Sequence, residues 1–235
     1  MQIGIGLGIP AVHGNIAGFT PLELSPVLWL DASDTSTITE SGGAVSQWDD
    51  KSGNGNHPVQ ATAAKQPSSG TRTLNSLNVL DFDGTADYLQ VLGDTISQPF
   101  TVYCVVDADT ATGGFIFDGA TSGNRAGLRV TSYSSLRGEL GPAELAVTSN
   151  TDVAIAKGVW NGASSTLRWV TSTDERNATW TTTSVDLQLI TIGTYNAALG
   201  AFFDGAIAEV IVIDRLLSAS EAAATEQYLS DKWGI

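Results

Sequence analysis

The stretch Phe202–Ile235 reads FFDGAIAEVIVIDRLLSASEAAATEQYLSDKWGI, and its two halves decide the fold. In Ala206–Asp214 the apolar positions run nearly unbroken, and most are β-branched or small. An apolar run of that length and composition is a central strand packed on both faces. Glu209 alone interrupts it. A carboxylate in such a strand must be paired, hydrogen-bonded or protonated, unless alternation turns it to the exposed face. The expected partners are an Arg, a Trp N–H or backbone near the first strand. Ser218 followed by Glu221 forms a capping box that starts a helix over Ala219–Asp231, and Gly234 stops it. Ala224, Tyr228 and Leu229 fall on one stripe of that helix. Trp233 is read as core, and so is Trp29 in the first strand.

Outward from this end the chain reads as β structure. Pro26–Asp31, Ala44–Trp48, Val79–Phe82, Tyr88–Val91, Phe100–Val106, Gly114–Phe117 and Leu187–Gly193 are strand-like. Leu128–Thr131 and Ala143–Val147 carry weaker signals. Ala154–Trp160 and Thr166–Val170 form a hairpin around Asn161-Gly162. Asp49–His57 and Asp83–Asp87 are turn chemistry. About a dozen short strands at such spacing, with a single clear helix, predict an all-β sandwich. No internal repeat is visible. One domain boundary is expected, with an arm over 1–25 and a folded domain over 26–235.

Composition narrows the function. The 235 residues carry a formal net charge of −14, which repels the phosphate backbone of nucleic acid. Hydrophobic content of 42% against 15% charged residues supplies a sizeable core. The single cysteine, Cys104, cannot form an internal disulfide and sits in a strand-like run as a small core residue. No apolar run reaches membrane-spanning length. The N-terminus lacks the basic start and uninterrupted apolar segment of a secretory signal, so delivery by assembly rather than export is expected.

Gln2–Pro10 alternates glycine with Ile3, Ile5, Leu7 and Ile9. That much glycine costs too much backbone entropy for an autonomous strand. The aliphatics instead predict an arm that docks on a partner or adds a strand to a neighbour.

Four segments together resemble the laminin-G-like, concanavalin A-like jelly-roll modules of bacteria and phages. They are Leu28–Asp34 (LWLDASD), Trp48–His57 (WDDKSGNGNH), Asp81–Tyr88 (DFDGTADY) and Gly205–Arg215 (GAIAEVIVIDR) with its helix. The resemblance spans 26–235 and implies a concanavalin A-like jelly-roll β-sandwich with one C-terminal α-helix and an extended N-terminal arm. A glycine–aliphatic leader before such a module looks like small structural proteins of tailed phages. This implies a non-enzymatic virion component, a tail fibre, spike or capsid decoration, assembled in the host cytoplasm and displayed on the virion surface. Its partners would be other virion proteins, reached through the arm, and a host-surface glycan, with homo-oligomerisation left open. The alternative is a secreted carbohydrate-binding module or glycoside hydrolase.

The resemblance also implies calcium at a sheet edge. The candidate ligands are Asp31, Asp34, Asp49, Asp50 and Asn54, with Asn56, and with Asp81 and Asp83 if the strands pair. The competing reading is that these Asp and Asn side chains cap their own turns. For glycan stacking, Trp48, Trp160, Trp169, Trp180 and Tyr195 come into question, although aromatics in strands are more often core. Trp180, set among Thr179–Thr183, is the best candidate for an exposed ring, with Tyr195 beside it as a glycan contact. A retaining glycosidase needs two carboxylates about 5–5.5 Å apart. No Glu-x-Asp-x-x-Glu pattern is present, and Glu139 and Glu144 are too isolated to propose as a pair. With only His13 and His57, neither a triad nor a three-histidine zinc site is expected.

Overall fold

A computed structural model describes residues 18–109, 114–121, 124–132, 135–138, 144–146, 152–182, 186–195 and 200–235. The arm positions Ile3, Ile5, Leu7 and Ile9 lie outside the described residues.

The first strands are β1 (Leu28–Asp31), β2 (Ile38–Ser41), β3 (Ala44–Trp48), β4 (Ser68–Leu74), β5 (Leu77–Asp83), β6 (Leu89–Ser97), β7 (Phe100–Ala108) and β8 (Phe115–Thr121). They are followed by β9 (Asn124–Ser132), β10 (Ser135–Gly138), β11 (Glu144–Ala146), β12 (Ala154–Trp160), β13 (Ser165–Val170), β14 (Glu175–Trp180), β15 (Asp186–Ile192) and β16 (Asp204–Ile213). Helix α1 (Ala219–Trp233) closes the chain. One sheet runs β14-β13-β12-β7-β16-β5-β4-β3-β2, with β1 also on β16; the other runs β11-β10-β9-β8-β15-β6. Every named pairing is antiparallel. This is the jelly-roll sandwich with one C-terminal helix that the sequence predicted.

Strand β16 is the centre of the first sheet, because one edge pairs with β7 and the other is shared. Asp204–Ile207 pair with β5, and Glu209–Val212 pair with β1. Its two faces serve two cores. Ile207, Val210 and Val212 point between the sheets, against Trp48, Phe100, Phe117, Trp160 and Leu187. Ala206, Ala208, Ile211 and Ile213 point outward, against Trp29, Leu229 and Trp233. Ile207 stands opposite Val106 and Glu209 opposite Val105, so Ala208 is an extra residue in the ladder. Such a bulge resets alternation. It turns Glu209 to the helix side, where Ala208 already points.

Helix α1 begins as expected: Ser218 Oγ accepts from Glu221 N–H at 3.3 Å, and the Glu221 carboxylate accepts from Ser218 N–H at 2.8 Å. Gly234 ends it at φ +78°. The buried stripe is Thr225, Leu229 and Trp233, with Tyr228 half-buried beside it: Leu229 and Tyr228 pack on the sheet as expected, and Thr225 is buried in place of the half-buried Ala224. A one-position rotation lets the large indole of Trp233 reach the sheet.

The arm boundary at residue 25 lies too far along the chain. Pro21–Leu24 form a short 3-10 turn, Leu24 is only 2% exposed in the helix-side core, and Phe19 lies edge-on to Tyr228 with centroids 6.0 Å apart. Residues from Phe19 on therefore belong to the sandwich. Burial of Leu24 and partial burial of Phe19 hold this segment on the sandwich.

Candidate functional site

The motif residues that look most like chemistry form a latch. Antiparallel register sets Asp31 directly opposite Glu209. Lys232 Nζ, from the last turn of α1, donates to Asp31 Oδ1 at 2.6 Å and to Glu209 Oε2 at 2.9 Å. Glu209 also accepts from Trp29 Nε1 (2.7 Å), Trp233 Nε1 (2.8 Å) and Tyr228 Oη (2.9 Å). Burial pushes Glu209 up, against the pull of Lys232, and it is 1% exposed. Burial works to raise Asp31 as well, but Lys232, Ser33 and Lys51 together hold it below the usual carboxylate range. Burial next to the Glu209 charge keeps the Tyr228 phenol protonated. The expectation of Trp N–H partners near the first strand is met. This is a buried, neutralised carboxylate pair, and its chemistry is structural.

The proposed calcium ligands are committed elsewhere. Lys51 Nζ lies 2.9 Å from both Asp31 Oδ2 and Asp34 Oδ2. Asp50 accepts from Trp29 N–H (3.0 Å), Ser52 N–H (2.8 Å), Ser52 Oγ (2.7 Å) and Asn56 N–H (3.0 Å). Asp49 accepts from Gln47 Nε2 at 2.7 Å, and Asn54 Nδ2 donates to the Pro26 carbonyl at 3.0 Å. Among the described residues no three His, Cys, Asp or Glu side chains are placed to hold a metal. Asp31, Asp34, Asp49, Asp50 and Asn54 are thus each engaged with protein donors or acceptors. In WDDKSGNGNH the competing reading holds: short polar side chains satisfy backbone N–H groups that a tight loop leaves over.

Trp180 corrects the expectation of an exposed ring. It is 5% exposed, with its ring edge-on to Trp160 at 5.8 Å and 89°. A Cβ on Gly138 would lie 2.9 Å from the Trp180 ring, so the missing side chain makes the space that the indole fills. Its neighbours Thr179 and Thr181 face outward by alternation, and the tryptophan faces in. Trp48, Trp160 and Trp169 are core as well.

Tyr195 lies elsewhere, on the outer face of the six-stranded sheet. Its half-buried ring meets Phe115 at 5.4 Å and 50°, and the Arg129 guanidinium lies 5.3 Å over Phe115. A Cβ on Gly200 would come within 3.3 Å of the Tyr195 ring. On the same face, register aligns Gln90, Thr191 and Asp118 across β6, β15 and β8. Their neighbours Leu89, Ile192 and Phe117 point the other way, into the main core. Gln90 Nε2 donates to Thr191 Oγ1 at 3.0 Å, and Asp118 is fully buried at 0% exposure. Arg137 on β10 stands opposite Arg129 on β9. One sheet face thus combines an aromatic ring, an amide, a hydroxyl, a carboxylate and a guanidinium. Sequence reasoning singled out Tyr195 and passed over its neighbours on this face, Gln90, Phe115, Asp118 and Arg129. Asp118 next to the apolar run Phe115-Ile116-Phe117 was the available signal, of the same kind as Glu209.

No family profile matches the chain, and no curated protein matches it. Solved structures do. A GH54 α-L-arabinofuranosidase soaked with a cyclic sulfate inhibitor is similar over 91% of this chain and 66% of its own, at 12% identity and a TM-score of 0.66. Trypanosoma rangeli sialidase in complex with sialic acid is similar over 87% of this chain and 33% of its own, at 14% identity and a TM-score of 0.58. The botulinum neurotoxin serotype D binding domain is similar over 89% of this chain and 53% of its own, at 11% identity and a TM-score of 0.51. The chain spans one third to about two thirds of the length of these proteins. At such identities the likeness is one of fold: a β-sandwich shared with proteins that handle quite different substrates.

Proposed function

We propose that this chain is a non-enzymatic recognition module, displayed on a larger particle by its N-terminal arm and able to hold a glycan on the outer face of the six-stranded sheet. The observation that carries the reading is the Tyr195–Phe115 pair beside Gln90, Thr191, Asp118 and Arg129. The half-buried Tyr195 ring offers a surface to the C–H face of a pyranose, and the partly exposed Gln90 amide and Arg129 guanidinium are the groups placed to meet its hydroxyls, with the buried Thr191, Asp118 and Phe115 behind them. The likeness in fold to proteins solved with an arabinofuranosidase inhibitor and with sialic acid supports a saccharide as ligand. Resemblance of the glycine–aliphatic leader to tailed-phage structural proteins supports a tail fibre, spike or capsid decoration, with the sandwich outward on the virion surface.

The test is a glycan panel with purified full-length protein. Binding to at least one saccharide, lost in Tyr195→Ala at unchanged melting temperature, supports the reading; retention of all binding in that variant overturns this face as the site. The display half is tested separately, by incorporation of a protein lacking residues 2–10 into particles. Normal incorporation of that protein rules out docking by the arm.

A catalytic reading has one observation in its favour, the buried Asp118 carboxylate on the same face. Turnover of a 4-nitrophenyl arabinofuranoside or sialoside, abolished by Asp118→Asn, would establish it.

A further inference from the structure

The free edge of the six-stranded sheet opens onto an apolar slot. Strand β6 ends the order of that sheet. At Gln90 its outer edge pairs with Val59, through Val59 N–H to Gln90 O at 2.8 Å and Gln90 N–H to Val59 O at 3.1 Å. Backbone groups of alternate residues point to the same edge. Those of Leu92 therefore face outward past the end of this pairing, and among the described residues no strand meets them there. Leu92 itself is 77% exposed. Exposed edges with apolar side chains invite another strand unless charge or proline blocks them. Beside this edge, Val27, Val91, Ile96 and Ile190 form the floor of a cleft rimmed by Asn54 and Asp94. Val27, Val91 and Ile96 are only partly buried, packed against the main core where the two sheets part.

We propose that residues 2–10 of a second copy of this chain add a strand to the free edge of β6, with Ile3, Ile5, Leu7 and Ile9 entering the slot. This rests on the reading of the arm as a docking element and names its receptor. A strand added beside β6 continues the sheet, so every second side chain falls on the core side, next to Val91. In Ile3–Ile9 the aliphatics recur with a period of two, and Gly4, Gly6 and Gly8 take the other face. Pro10 then ends the pairing. Docking supplies the pairing and burial that so glycine-rich a segment lacks alone.

Geometry favours a neighbour over the chain's own arm. The described chain starts at Gly18, and Phe19 packs on Tyr228 of α1, on the outer side of the ten-stranded sheet. The slot opens at the other end of that layer, where the two sheets part, with Val27 before β1 and Val91, Ile96 and Ile190 of the six-stranded sheet in its lining. Residues 11–17 reach at most about 25 Å when fully extended, and within that length the chain's own arm would have to pass from the helix side, where Phe19 packs, to the edge of β6. Charge permits the approach: residues 1–17 contain no Asp, Glu, Lys or Arg, whereas the whole chain carries −14.

The test is the mass of the full-length protein in solution by size exclusion with light scattering, beside three variants. One lacks residues 2–10; one carries Ile3→Ser, Ile5→Ser, Leu7→Ser and Ile9→Ser; the third is Leu92→Pro, which removes the outward N–H from an exposed position. The expected result is an oligomer for the full chain and monomers for all three variants, at unchanged melting temperature for the two arm variants. A full chain that is monomeric at all concentrations, or an oligomer that persists without residues 2–10, overturns the proposal. If the full chain alone is monomeric and yet particles lose the protein on deletion of 2–10, the strand exchange is wrong and display by the arm stands.

Discussion

Replacing Lys232 by methionine tests the latch that holds α1 on the sheet. The substitution keeps most of the apolar stem and removes the one cation that bridges Asp31 and Glu209, at 2.6 and 2.9 Å. Breaking a buried ion pair from one side costs about 3–5 kcal/mol, because a buried charge stays behind uncompensated. Two features place Lys232→Met near the lower end. Lys51 still neutralises Asp31, and Trp29, Trp233 and Tyr228 still donate to Glu209. The loss should also depend on pH. Burial and the facing Asp31 already raise Glu209, and Lys232 is the largest influence that lowers it. Without Lys232, Glu209 titrates higher still when folded than when unfolded. A raised folded-state value contributes stability at low pH that is lost as pH rises through it. Lys232→Met should therefore fall furthest below the native protein at pH 8 and recover part of the gap by pH 5. Adding Glu209→Gln should restore stability at pH 8 and abolish the pH dependence of the difference. Urea unfolding at both pH values measures this. A loss below about 1 kcal/mol, equal at pH 5 and pH 8, would refute the account of the pair as an ionised bridge.

Three further outcomes follow from single sites. Asp87 is pushed up to about 6, first by burial and then by the Asp83 charge, so its charged form costs stability that is absent below its unfolded value and complete above about pH 6. Asp87→Asn should stabilise the protein by about 1–3 kcal/mol at pH 7.5 and by almost nothing at pH 4, read from urea midpoints; equal effects at both would exclude the carboxylate as cause. Trp180→Ala should cost about 3–5 kcal/mol as a core cavity, seen in the melting temperature, whereas an exposed glycan platform would cost almost none. Gly205→Ala should cost more than about 2 kcal/mol, since φ is +136° and the new Cβ would lie 2.3 Å from the Asp107 carbonyl oxygen; a midpoint within error of the native protein would contradict that backbone geometry.

The elements that were legible in the sequence are those whose own residues carry the signal. Strand β16 is apolar apart from Asp204 and Glu209 because both of its faces are buried, and α1 is bounded by a capping box and a glycine that act locally. Strands β2 and β4 escaped notice because they lie towards the edge of the sheet. Ile38–Ser41 and Ser68–Leu74 are half-exposed or exposed along most of their length, so their residues need not be apolar. Trp180 misled for a related reason: its flanking threonines describe one face of β14, while the indole belongs to the other.

The site divides in the same way. Glu209 was conspicuous because a carboxylate in an apolar strand is costly wherever the strand goes. That Trp29, Tyr228, Lys232 and Trp233 supply its partners follows from the Ala208 bulge, which turns Glu209 toward the helix. Gln90, Thr191 and Asp118 lie far apart in the chain and meet only through the register of three strands. By itself the sequence determined the all-β class, the closing strand and the capped helix, because periodicity and capping are properties of neighbouring residues. Only the tertiary structure decided which carboxylates are neutralised, which tryptophans are core and which face of the second sheet gathers polar groups around an aromatic pair, since each depends on pairing between strands distant in the chain.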